Sequence, residues 1–210
     1  MEILVVSATR MEIEPFTQMA AVTDILITGV GAPVCIYSLT KQLQRKQYDM
    51  VIQAGIAGTF RNAYAPGETV TVKQDLFADL GIYDKDEFFT LFDRGFAEPN
   101  AAPYTSGILQ NDDANLFSMP AVNAITINTV SDKYAQKELF QKKYEPDIES
   151  MEGAAFHYVC LSENVKFLQL RSISNFVGER IKTNWKMNEA VQSLNENLAR
   201  IVAELLTQST

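Results

Sequence analysis

Apolar and polar positions alternate along this chain in short runs and longer amphipathic stretches. Ile3 to Ser7 is a continuous apolar run, the pattern of a strand buried on both faces. Ala8 to Glu14 reads as a polar loop entering a helix, and Asp24 to Thr28 as a second short strand. Gly29-Val30-Gly31 follows, then an amphipathic stretch from Pro33 to Gln47, with Pro33 suited to the first turn of a helix. Asp49 to Gln53 predicts a strand, Gly55-Ile56-Ala57-Gly58 a tight loop, and Glu68 to Lys73 a strand by its alternation. Residues 75–120 carry aromatics, acids, Pro and Gly without a clear period, which suggests a long excursion over a functional site. Beyond it the pattern predicts strands at Ala121–Asn128 and Asp147–Ser150, with a helix at Lys133–Tyr144 between them. A helix from Glu152, a strand from Lys166 to Ile173, a polar loop over 176–186 and a long helix from Met187 to Leu206 complete the chain.

Strands alternating with helices predict an α/β domain whose central, mainly parallel sheet lies between helical layers. The 210 residues suit one domain, 1–210, with a sizeable core. Lys and Arg number 18 against 26 Asp and Glu, a net charge of −8 that argues against a nucleic-acid partner. No apolar run is long enough to span a membrane, and the N-terminus does not read as a signal peptide. Cys35 and Cys160 sit in apolar helical contexts without metal spacing, as expected of buried thiols in a reducing cytoplasm. His157 is the only histidine, which leaves little material for a His-based metal site or a Ser-His triad.

The chemistry concentrates in Ser150-Met151-Glu152-Gly153-Ala154-Ala155 and in Arg171-Ser172-Ile173-Ser174-Asn175. Open α/β sheets bind ligands beyond the carboxyl ends of their strands, so Glu152 and Asn175 are expected to face one pocket. A carboxylate accepts two hydroxyl hydrogen bonds and suits a sugar diol. A carboxamide suits a base edge that mixes donors and acceptors. Sugar plus base indicates a nucleoside.

At this point the residues resemble the purine nucleoside phosphorylase and nucleosidase superfamily. The motifs are Ser7-Ala8-Thr9-Arg10-Met11-Glu12, Ala54-Gly55-Ile56-Ala57-Gly58, and the two quoted above, in the family order. The broad likeness is to methylthioadenosine/S-adenosylhomocysteine nucleosidases. The run Ser174-Asn175-Phe176-Val177-Gly178-Glu179-Arg180, followed by Trp185, most resembles the futalosine hydrolases of menaquinone biosynthesis. The resemblance implies a three-layer fold, a mixed, mainly parallel sheet flanked by helices, and hydrolysis of the N-glycosidic bond of a 6-oxopurine nucleoside such as futalosine. It implies no metal and no organic cofactor, and a cytoplasmic homodimer. By the same resemblance Glu12 activates water, Glu152 binds the ribose hydroxyls, Met151 lies beside the sugar, and Gly55, Ile56 and Phe176 complete the expected substrate contacts.

Asn175 stands where adenine-specific relatives carry Asp. An amide can donate to the oxo group of hypoxanthine and accept from a protonated ring nitrogen, so Asn175 favours a 6-oxopurine. Futalosine carries a carboxyphenyl ketone on its 5′ side, and Arg180, Lys182 and Trp185 are candidates for that arm by proximity alone. Phe77, Tyr83, Phe88, Phe89 and Phe92 are candidates to close its slot, from this chain or a neighbouring subunit. Arg10 and Arg61 are the candidate phosphate ligands of a phosphorylase, the reading that competes with hydrolysis. An adenine-directed nucleosidase and a non-catalytic nucleoside-binding protein compete with it as well. Plainer readings also stand: Glu14 in place of Glu12, Asn175 bonded to turn backbone, and Arg171 as a structural donor to neighbouring loops.

Overall fold

The computed structural model describes residues 1–19, 23–130, 134–178 and 185–207. The elements run β1 (Ile3–Ser7), α1 (Arg10–Met19), β2 (Asp24–Ile27), α2 (Ala32–Leu43), β3 (Met50–Thr59) and β4 (Thr69–Asp75). A hairpin of β5 (Gly81–Asp84) and β6 (Glu87–Thr90) follows, then β7 (Leu109–Gln110), a 3₁₀ turn at Asp112–Asn115 and β8 (Ala121–Thr126). The chain continues with α3 (Tyr134–Tyr144), β9 (Ile148–Ser150), α4 (Gly153–Ser162), β10 (Phe167–Phe176) and α5 (Met187–Thr207).

The unbroken apolar runs arise because the sheet is covered on both sides. In β1, Ile3 and Val5 pack with Ile13 and Phe16 of α1 and with Leu194, Leu198 and Ile201 of α5. Leu4 and Val6 point the other way, onto Cys35 and Leu39 of α2 and Ala155, Phe156 and Val159 of α4. Helix α5 buries Ala190, Leu194, Leu198, Ile201, Val202 and Leu205, the stripe expected of a helix with one face on a sheet. Truncating one of these fully buried leucines to Ala removes about 2–5 kcal/mol of stability.

The sheet is mixed, ordered β10-β4-β8-β9-β3-β1-β2, with β7 added beside β4. β10 also pairs with β3, so β3, β10, β4, β8 and β9 form a closed ring from which β1 and β2 extend. The ring requires the two long strands to serve more than one neighbour each, two for β10 and three for β3. β10 lies parallel to β3 along its length and antiparallel to β4 at its centre. β3 meets β1 at its start and β9 at its end.

Three local expectations are corrected. Gly55 to Gly58 is not a tight loop: β3 runs straight through it to Thr59. The small residues there serve close packing, because a Cβ on Gly55 would meet the Arg171 guanidinium. β10 likewise continues past Ile173 to Phe176, which puts Asn175 in the strand itself. Residues 75–120 supply none of the residues that line the cavity of their own chain at the ends of β1, β3, β9 and β10. They form the hairpin and line a separate cavity, with Phe77, Phe92 and Tyr104 in its wall.

Candidate active site

A cavity of about 270 Å³ opens where β1, β3, β9 and β10 end. That volume lies at the low end for small-molecule sites. Its walls include Glu12, Ile56, Gly58, Glu149, Met151, Glu152, Asn175 and Trp185, with Met11, Val30 and Val130 among the apolar contributors.

Glu12 lies in the first turn of α1, where an acid suits the positive end of the helix dipole. It is 6% exposed, and its carboxylate accepts from several donors, with Oε1 keeping a lone pair for a ligand or water. Oε2 accepts from the Thr9 backbone N–H and the Thr9 hydroxyl, each at 2.9 Å, and from the Ser7 hydroxyl at 3.3 Å. Oε1 accepts from the backbone N–H of Ile56 at 3.1 Å. The helix that carries Glu12 is pinned in turn. Buried Asn195 of α5 donates to the Glu12 carbonyl at 2.8 Å and accepts from the Phe16 N–H at 2.9 Å.

Glu152 occupies the N-cap position of α4 and is 4% exposed. Its Oε1 accepts from the backbone N–H of Gly31 at 2.8 Å. Gly31 has φ 102°, a conformation that L side chains rarely adopt, and this explains the Gly-X-Gly turn ahead of α2. Arg171 Nη1 stands 3.9 Å from Glu152 Oε2. The same guanidinium donates to Gln53 Oε1 at 2.8 Å and to the Ile56 carbonyl at 3.3 Å. Burial pushes the Glu152 carboxyl above its ordinary range, against the opposing pull of Arg171 and the Gly31 N–H. Beneath α4, Asp75 is fully buried, accepts from Thr126 at 3.0 Å, and is pushed up to about 7 by desolvation. A Cβ on Gly153 would collide with Asp75 and Gln169, so this glycine lets the start of α4 approach the strands.

Asn175 reaches the cavity through a β-bulge. Ile173 pairs with Ala57, but Asn175 pairs with Gly58, so the register slips by one residue at Ser174. The slip brings the Asn175 side chain, rather than that of Ser174, onto the face of Gly58. Its Oδ1 accepts from the Ser174 hydroxyl at 2.8 Å, and its Nδ2 donates to the Phe176 carbonyl at 3.0 Å. A carbonyl lone pair and a second N–H remain for a ligand.

The structure thus brings Glu12, Ile56, Met151, Glu152, Asn175 and Trp185 to one cavity. Gly55 and Phe176 are not among its lining residues; Gly55 instead makes room for Arg171 and Glu12. Arg180 and Lys182 lie outside the described residues. Glu14 is on the outer side of α1, paired with Arg10 at 3.9 Å. Arg61 is bound to Asp147 at 3.3 Å, and neither Arg10 nor Arg61 lines the cavity. Glu149 and Asn195 have no place among the residues expected from sequence, and Arg171 enters there only as a structural donor. For Glu149 a signal existed, since strand alternation puts it on the same side as Met151.

Residues 16–207 match the Phosphorylase superfamily. The chain is 28% identical to a futalosine hydrolase of Thermus thermophilus over 217 residues, covering 96% of this chain and 95% of that one. The native structure of futalosine hydrolase of Helicobacter pylori superposes with a TM-score of 0.79 at 16% identity, covering 97% of each chain. A mutant 5′-methylthioadenosine/S-adenosylhomocysteine nucleosidase of Helicobacter pylori, with 5′-methylthioadenosine in its active site, also gives 0.79 at 16% identity, over 97% of this chain and 98% of that one. The agreement of motif order, fold and matched length is sufficient: this chain belongs to the Phosphorylase superfamily.

Proposed function

We propose that this protein is an N-glycosidic hydrolase that cleaves futalosine, releasing hypoxanthine, in menaquinone biosynthesis. One observation carries the reading: two buried carboxylates, Glu12 and Glu152, and a strand-end carboxamide, Asn175, line one cavity. The likeness to the Thermus thermophilus futalosine hydrolase, over nearly the full length of both chains, supports the substrate.

The roles follow from the chemistry. Breaking the bond builds positive charge on the ribose and leaves the electron pair on the purine. Glu12 holds the attacking water and takes its proton. Glu152 grips the 2′ and 3′ hydroxyls, and its charge counts for more as the sugar becomes cationic, so it favours the transition state over the ground state. Asn175 reads the oxo edge of the base. Met151 and Ile56 flank the sugar, and Trp185 with Met11 and Val30 provides an apolar exit for the 5′ arm. Arg10 and Arg61 being away from the cavity supports water over phosphate as the nucleophile.

A cytoplasmic homodimer fits the same reading. Val30, Val34 and Tyr37 form an exposed apolar row beside the cavity mouth, and both cysteines are buried and unpaired. Light scattering on the purified protein reads the oligomer directly. The activity is tested by incubating the protein with futalosine, inosine and methylthioadenosine, each with and without phosphate. Phosphate-independent release of hypoxanthine from futalosine is the expected result. Preference for methylthioadenosine, or a requirement for phosphate, overturns the proposal.

A further inference from the structure

The departing purine must receive a proton or have its charge carried for it. Glu12 faces the water, Glu152 faces the sugar, and the Asn175 amide has no acidic proton to give. Among the described residues lining the cavity, the remaining carboxyl is Glu149. Its position is built into the sheet. Gly58 pairs in parallel with Asn175 on one side and antiparallel with Glu149 on the other. A Cβ built on Gly58 would stand 3.0 Å from Val177 Cγ2, 3.4 Å from Asn175 Nδ2 and 3.6 Å from Glu149 Cγ. The bare glycine therefore lets a carboxamide and a carboxyl converge, beside Val177, on one part of the cavity wall.

The surroundings keep that carboxyl available. Ile127, Phe140 and Val177 crowd its far side. Lys137 of α3 faces it from behind but donates its ammonium to the Val177 carbonyl at 2.9 Å. Across the cavity the charged groups among the described residues are Glu12 and Glu152. Burial pushes the Glu149 carboxyl up to about 7, with Lys137 pulling the other way. A group of that acidity holds its proton at neutral pH often enough to act as an acid.

We propose that Glu149 is the general acid of the reaction, passing its proton to a ring nitrogen of the departing purine. The proposal rests on the nucleosidase reading above. The bond from ribose C1′ to the base nitrogen breaks, and its electron pair goes to the purine, which takes the Glu149 proton. Water bonds to C1′ and loses a proton to Glu12. Proton exchange with solvent restores both carboxyls, so nucleoside and water become free base and ribose derivative.

Two substrates test this. The first is futalosine, whose base needs a proton to leave. The second is a para-nitrophenyl riboside, whose phenolate leaves without one. Hypoxanthine release from futalosine by the wild-type enzyme tests the nucleosidase reading separately. Given that activity, Glu149→Gln is expected to lower kcat on futalosine by about 100-fold or more, with KM little changed. On the nitrophenyl riboside the variant should match wild type, which also shows that it is folded. Wild-type kcat on futalosine should decline above pH about 7, and that limb should vanish for the nitrophenyl riboside. Near-normal futalosine turnover by Glu149→Gln, or equal losses on both substrates, overturns the assignment while leaving the nucleosidase reading intact.

Discussion

At one end of the cavity, Glu12 and Glu152 are held by donors already in place. The N–H groups of Thr9, Ile56 and Gly31, two hydroxyls and the Arg171 guanidinium fix them before any ligand arrives. At the other end, among the described residues Asn175 is tied only to its own strand, and Glu149 has Ile127, Phe140, Val177, Gln136 and one occupied lysine around it. The contrast matches two tasks. Charge that must stay fixed while a cation develops needs oriented dipoles, because reorganising them during the reaction would raise the barrier. On the proposed roles Glu12 must hold its water in place while it takes the proton, and Glu149 must carry a proton to give, for which an apolar setting suits it.

The sharpest way to break the contrast is to remove charge at the fixed end. Glu12→Gln is expected to cost about 100- to 10,000-fold in kcat while nucleoside binding persists. Glu14→Gln should stay close to wild type; a swap of these two outcomes would move the base to Glu14. Glu152→Gln should lower kcat by roughly 100- to 1,000-fold, the scale seen when one electrostatic stabiliser is lost. A 2′-deoxy substrate should narrow the gap between this variant and wild type, and an unchanged gap would argue against a role at the diol. At the base end, Asn175→Asp should reduce cleavage of the hypoxanthine nucleoside by about ten- to 100-fold, as expected when one base-reading pair is spoiled. The readout is the ratio of kcat/KM on hypoxanthine and adenine nucleosides with matched 5′ groups. A wild-type preference for the adenine member would refute the reading of this residue.

Smaller effects sharpen the comparison. Asn195→Leu removes the tie between α5 and the Glu12 carbonyl without touching the cavity. A drop in kcat of about tenfold with an unchanged pH profile would mark it as a positioning residue. The last effect is on stability. Glu149 in the folded protein holds its proton up to about pH 7, whereas in the unfolded chain it loses it near 4.5. Between those values the folded state binds more protons, so this group makes stability fall as pH rises. Gln cannot ionise, so Glu149→Gln should gain stability relative to wild type as pH increases across that window. Urea unfolding at pH 5 and 8 measures it, and parallel curves at both would show that the carboxyl is not held in an apolar setting. His157 acts oppositely: burial lowers it to about 4, so its contribution grows as pH rises toward 6.5.

Most of the element order is legible in the residues because β1 is apolar on both faces, β3 and β10 open on apolar stretches, and α5 is apolar on one face. Glu12, Glu152 and Asn175 are legible because each sits at the end of such an element. What stays hidden depends on pairing between distant strands. Gly55 and Gly58 look like turn residues in isolation, and only the neighbours β10 and β9 reveal why a bare backbone is needed. The bulge at Ser174 has no local signature, yet it decides where Asn175 points. The ties from Arg171 to Gln53 and from Asn195 to Glu12 span more than 100 residues of sequence, beyond the reach of any periodicity. Residues 75–120 mislead because a segment without a period resembles a lid, whereas this one folds into a hairpin with a cavity of its own.

Because Glu12 is anchored at Ile56 while Asn175 and Glu149 meet at Gly58, both ends of the cavity are measured out along a single strand. Two residues of pleated chain span about 6 to 7 Å, a spacing that the backbone does not adjust. Sliding β3 by one residue would turn each of its side chains to the opposite face. The site therefore has a built-in ruler. Exchanging the side chains at either mark changes what the cavity presents, but the interval between Ile56 and Gly58 stays the same.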